Sequence, residues 1–145
     1  MITQLQILTE HERALLLKAP VMVSVLASCS YNEVNEKRKR DAIKLSHLKT
    51  FTADPMLLPY YHEVEKHFEE QFDATVAKFS PFDEAKRTEL KKEIGKVTEV
   101  IQKLDSTYAE KLSRSLHGYA KHVERATHSV FQDFLFPLPI EGLND

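Results

Sequence analysis

The sequence predicts an all-α protein, a compact single-domain bundle of about five to seven helices around a buried central helix. Three observations carry this. Apolar residues recur in steps of three and four over most of the chain, the spacing that keeps one face of a helix apolar. Only three glycines occur in 145 residues, and long spans hold neither glycine nor proline, which disfavours a strand-and-turn architecture. The run 19–30 carries no charge and places apolar side chains at nearly every helical bearing. A helix apolar on most of its faces belongs inside a domain. The chain is long enough to bury such a core as one domain over 1–145.

Taken in order, Thr9 reads as the N-cap of a first helix, with Glu10 and Glu12 at its positive end. Ala14, Leu15, Leu16 and Leu17 carry that helix to Lys18. Pro20 either opens the central helix, where its missing N–H would be unpaired anyway, or kinks one continuous helix. Tyr31-Asn32-Glu33 ends the central helix, Asn32 being suited to a left-handed conformation. Val34, Ala42, Ile43, Leu45, Leu48 and Phe51 then form a looser helical pattern. Lys37-Arg38-Lys39-Arg40 lies within it, either in a first turn, where it opposes the helix dipole, or further inside a helix that begins near Glu33. The run reads as a solvated face balanced by Glu33, Glu36 and Asp41.

Asp54 and Pro55 start the next helix, in which Leu57, Tyr61, Val64, Phe68, Phe72, Val76 and Phe79 share one face as a bulky core layer. Ser80-Pro81-Phe82-Asp83 interrupts the chain, and Leu90, Ile94, Val97, Ile101 and Leu104 form the following stripe. After a turn or kink at Asp105-Ser106, a last helix is expected from about Thr107 to Phe134. Its face holds Tyr108, Leu112, Leu116, Tyr119, Val123, Ala126, Val130 and Phe134. Residues 136–145 form an extended tail, because Pro137 and Pro139 stop the helix. The tail is expected to pack back along a hydrophobic groove of the bundle, or else to stand exposed as a docking segment. No strand pattern and no repeat occurs.

The function classes narrow by absence of signal. A net charge of −2 gives no global attraction to nucleic acid or to an anionic membrane. Cys29 is the single cysteine, which leaves no intramolecular disulfide and no Cys-x-x-Cys motif, and within an apolar run it reads as a small buried hydrophobe. The first residues lack the pattern of a secretory signal, and the run 19–30 is too short to cross a bilayer, so the expected location is the cytoplasm. There is no Gly-rich phosphate loop, no His-Glu-x-x-His and no Gly-x-Ser-x-Gly. Ser24, Ser28 and Ser30 read as small packing residues. Glu63 and His67, like Glu124 and His128, share a helix face, but the faces bearing His62, His67, His117 and His128 point away from the apolar stripes, with His122 at an edge. These histidines read as solvated. An enzyme is not expected.

Leu8-Thr9-x-x-Glu12, Leu16-Leu17-Lys18-Ala19-Pro20 and the apolar stretch from Val21 to Ala27 resemble the opening of the TerB-like, tellurite-resistance-associated proteins, over about residues 8–50. The resemblance implies a compact helical module of stress-response type that acts by binding other molecules and not by catalysis. In that family the apolar helix runs into an Ala-Asp-Gly segment followed by acidic residues. Here Tyr31-Asn32 replaces Asp-Gly, which removes one acidic group from the corner where a divalent cation would be held. Glu33, Asn35 and Glu36 remain as its candidate oxygen ligands. The residues themselves contain no cofactor motif.

Three readings follow. The first is a non-enzymatic TerB-like interaction or scaffold module, with Lys37, Arg38, Lys39, Arg40, Phe134 and Phe136 as candidate contacts for a protein partner. The second is a divalent-metal-binding bundle that draws on Glu33, Glu36, Glu63, His67 and His122. The third, a nucleic-acid-associated protein using the basic stretch, is disfavoured by the balanced charge. A homodimer is expected if the tail or the aromatic helix 56–79 leaves an apolar patch uncovered.

Overall fold

Helix α2 (Ala19–Ser28) is buried along its whole length, since it carries no charge and apolar neighbours surround it. The structure, a computed structural model, describes residues 3–30 and 33–124. Around α2 pack α1 (Glu10–Leu17), α3 (Glu36–Thr52), α5 (Phe68–Lys78), α6 (Glu84–Ile101) and α7 (Ser106–Glu124), while α4 (Leu58–Lys66) lies against α1 and α3. The described chain is an all-α bundle. None of its helices is long and apolar enough to cross a membrane.

Local signals set the helix starts. Thr9 and Glu12 form a capping box: the Thr9 hydroxyl accepts from the Glu12 amide at 3.1 Å and the Glu12 carboxylate from the Thr9 amide at 2.9 Å. Asn35, Asp54 and Asp83 each accept from an amide two or three residues on, at 3.0, 2.9 and 2.8 Å. Asp105 accepts from the amides of Thr107 and Tyr108 at 3.1 and 3.3 Å and so opens α7. The chain turns at Lys18, and Pro20 falls at the second residue of a new helix; it does not kink a continuous one.

Two expectations about element ends are corrected. α2 stops at Ser28, short of Tyr31-Asn32-Glu33. Cys29–Ser30 (β1) then pairs antiparallel with Glu33–Val34 (β2), Cys29 opposite Val34 and Ser30 opposite Glu33. A ladder of two residues per strand is too short for alternation to register in sequence. Tyr31 and Asn32 lie outside the described residues. The single helix expected over 56–79 is a 3-10 turn (Pro55–Leu57) followed by α4 and α5, which part at His67, where ψ is 17°. The break lets α4 lie on α1 and α3 while α5 lies on α2 and α3.

The core stripes hold across these corrections. Leu57, Tyr61, Val64, Phe68, Phe72 and Phe79 are buried, with Val76 partly so. Leu90, Ile94, Val97, Ile101 and Leu104 of the next stripe are buried, as are Tyr108, Leu112, Leu116 and Tyr119 of α7. The further positions expected on α7, Ala126, Val130 and Phe134, lie outside the described residues, as do His128, Phe136 and the 136–145 tail.

Four tyrosines lie in this core; a buried hydroxyl calls for a partner, and three of the four have one among the described residues while that of Tyr108 does not. Tyr60 donates to the Leu16 carbonyl at 2.7 Å, Tyr119 donates to the Ala42 carbonyl at 2.9 Å, and Tyr61 shares a hydrogen bond with Ser115 at 2.6 Å. The Tyr61 and Tyr119 rings stack at 6.4 Å, and Tyr60 meets Tyr61 edge-on at 5.0 Å. Burial raises the pKa of all four phenols, that of Tyr108 to about 12.

Candidate functional site on the outer stripe of α3

α3 begins at Glu36, which places Lys37-Arg38-Lys39-Arg40 at its N-terminal end. The buried C-terminus of α2 leaves carbonyls without intrahelical donors. Arg38 donates to the Ala27 carbonyl at 2.8 Å, the Asn35 amide to Ser28 at 2.6 Å, and Arg87 to Cys29 at 3.2 Å. Two guanidinium groups therefore stand at the negative end of the α2 dipole, where positive charge is stabilising. Lys39 lies 2.9 Å from Asp73 and 3.9 Å from Glu69, with its ammonium 5.5 Å over the Phe72 ring. The hydrogen bond to Asp73 raises the Lys39 pKa above its ordinary value. Half of the basic run thus fastens the fold, a correction to its reading as a solvated face. Lys37, paired with Asp41 at 3.4 Å, and Arg40 remain exposed.

The residues considered for a cation do not converge. Glu33 and Glu36 are exposed, and the Asn35 side-chain oxygen accepts from the Arg38 amide. Glu63 pairs with Lys66 at 3.2 Å, His67 with Glu70 at 3.7 Å, and His122 is exposed on α7. Among the described residues no group of three His, Cys, Asp or Glu side chains could hold a metal ion.

Two histidines behave in ways the sequence did not signal. His47 lies 2.5 Å from Glu65 in a cleft of about 310 Å³ at the α4–α5 break, which His67 and Glu70 also line. The cleft's only hydroxyl, that of Ser46, donates to the Ile43 carbonyl at 2.7 Å, which does not form a nucleophile–base pair with His47. His117, expected to be solvated, is half-buried with Nδ1 lacking a hydrogen-bond partner. Burial, and then the neighbouring Lys121, holds its pKa below the usual imidazole range. Cys29 is buried and its thiol is pushed up to about 11, so it is not an activated nucleophile.

The exposed feature of α3 is apolar. Phe51 is 68% exposed and Leu48 45%, although both belong to the pattern that reads as core-facing. The buried face of this helix is Ala42, Leu45, Ser46 and Thr50. At ~100° per residue Leu48 lies ~120° and Phe51 ~180° from Ala42, so a stricter angular count separates them. Lys37, Arg40, Lys44, Leu48 and Phe51 follow in steps of three and four and are all exposed, giving one outer stripe that is basic at its start and apolar at its end. Phe51 meets the His47 ring edge-on at 5.2 Å, and Met56, 40% exposed, follows just beyond the helix. Tyr60, Tyr61, Phe68 and Phe72 of α4 and α5 are buried, so their rings leave no uncovered patch, and the exposed apolar pair lies on α3. Compared with protein-family models, with curated proteins and with solved structures, the chain matches none.

Proposed function

We propose that this protein is a non-enzymatic, TerB-like helical module that works by binding a protein partner through the outer stripe of α3. The observation that carries the reading is the pair Leu48 and Phe51, apolar side chains left at the surface beside Lys37, Arg40 and Lys44. An exposed aromatic flanked by polar residues is the usual make-up of a contact surface. The stripe fits a partner segment that is apolar at one end and acidic at the other. The TerB-like part of the proposal draws support from Leu16-Leu17-Lys18-Ala19-Pro20 leading into a buried apolar helix, the order of elements in that family's opening.

The test is capture of interacting proteins by the full chain from cell extract, in parallel with a Leu48→Ser/Phe51→Ser variant and an Ile7→Ser control. A protein retained by the wild type and the control but lost from the double variant is the expected result. Identical captured sets for all three chains overturn the proposed surface.

A further inference from the structure

We infer that residues 134–140 of the same chain, Phe134-Leu135-Phe136-Pro137-Leu138-Pro139-Ile140, cover Leu48 and Phe51 when no partner is bound, as an internal competitor for the outer stripe of α3. The inference rests on reading that stripe as a contact surface.

The first argument is position. Lys111 of α7 pairs with Asp54, just past the end of α3, at 2.7 Å. About two turns further along, Tyr119 reaches the Ala42 carbonyl at 2.9 Å. α7 therefore runs antiparallel to α3 and delivers Glu124 towards the Glu36 end of that helix. From Glu36 to Leu48 is ~18 Å along the α3 axis. The residues from 125 to 134 can span up to ~33 Å when extended, so the apolar segment reaches the apolar end of the stripe.

The second argument is complementarity. The stripe offers Phe51 and Leu48 together with Lys37, Arg40 and Lys44. The segment offers five apolar residues and two prolines, and the charged residues on either side of it, Asp133 and Glu141, are both acidic. Proline lowers the entropy lost when an extended segment docks.

The third argument is size. A stable dimer covers ~800 Å² per partner, far more than two adjacent side chains and a neighbouring methionine expose. A short extended segment matches a patch of that extent better than a second copy does.

Amide hydrogen exchange on the purified full chain, followed by mass spectrometry of peptides spanning 131–141, tests the contact. The wild type should exchange several-fold more slowly there than Leu48→Ser/Phe51→Ser, at every protein concentration, while Ile7→Ser should match the wild type. Leu48, Phe51 and Ile7 are all exposed, and unchanged exchange in the core helices checks that each variant is folded. Three results overturn the inference. One is free exchange in the wild-type segment. Another is protection that the double variant leaves intact, which places the segment elsewhere. The last is protection that grows with protein concentration, which assigns the stripe to a second copy. Because no partner is present, failure here leaves the capture experiment, and the proposed function, standing on its own result.

Discussion

The Tyr60 hydroxyl donates to the Leu16 carbonyl at 2.7 Å, the acceptor that a helical amide at position 20 would serve if position 20 were not proline. The proline that separates α1 from α2 thus frees a buried carbonyl, and a side chain from α4 supplies its donor. Tyr60→Phe should lower stability by about 1–3 kcal/mol, since the buried carbonyl loses its phenol donor. Urea unfolding of the two chains measures this, and equal midpoints would show the hydrogen bond to be dispensable.

Arg38 and Arg40 belong to one basic run but face different surroundings. Arg38→Ala removes a charged donor from the buried end of α2 and should cost about 1.5–3 kcal/mol. Arg40 is exposed, and Arg40→Ala should stay within about 0.5 kcal/mol of the wild type. Thermal melts that shift equally for both would contradict the assignment of Arg38 to the fold.

His117 makes stability depend on pH. Its folded-state pKa lies below the ordinary value, with burial as the first cause and Lys121 as the second. The unfolded chain therefore binds the proton more readily, and stability falls as pH drops below ~6.5 and recovers as pH rises. His117→Gln should reduce the gain in melting temperature between pH 5 and pH 7. An unchanged gain would place the pH dependence on other groups.

Phe72 and His62 test the aromatic stripe from opposite sides. Phe72 is fully buried, and Phe72→Ala should cost about 3–5 kcal/mol through lost transfer energy and the cavity left behind. His62 is exposed on α4, and His62→Ala should change stability by no more than about 0.5 kcal/mol. Chemical unfolding of both variants checks the assignment.

Local signals decided the helix starts, because a cap is a contact between residues two or three apart: Thr9 and Asp54 cap where sequence puts them, and Asp83 and Asp105 cap within the interruptions that sequence marks. Periodicity decided the core stripes of α6 and α7 and the burial of α2, since burial follows from which face is apolar. The break at His67 has no proline or glycine behind it and arises from two helices following different neighbours, which no local pattern encodes. The roles of Arg38 and Lys39 likewise depend on groups 11 and 34 residues away in the chain. Leu48 and Phe51 count as apolar in any sequence reading. Their bearings, ~120° and ~180° from Ala42, part them from that residue, but only packing shows that the Ala42 face is the one that meets α2.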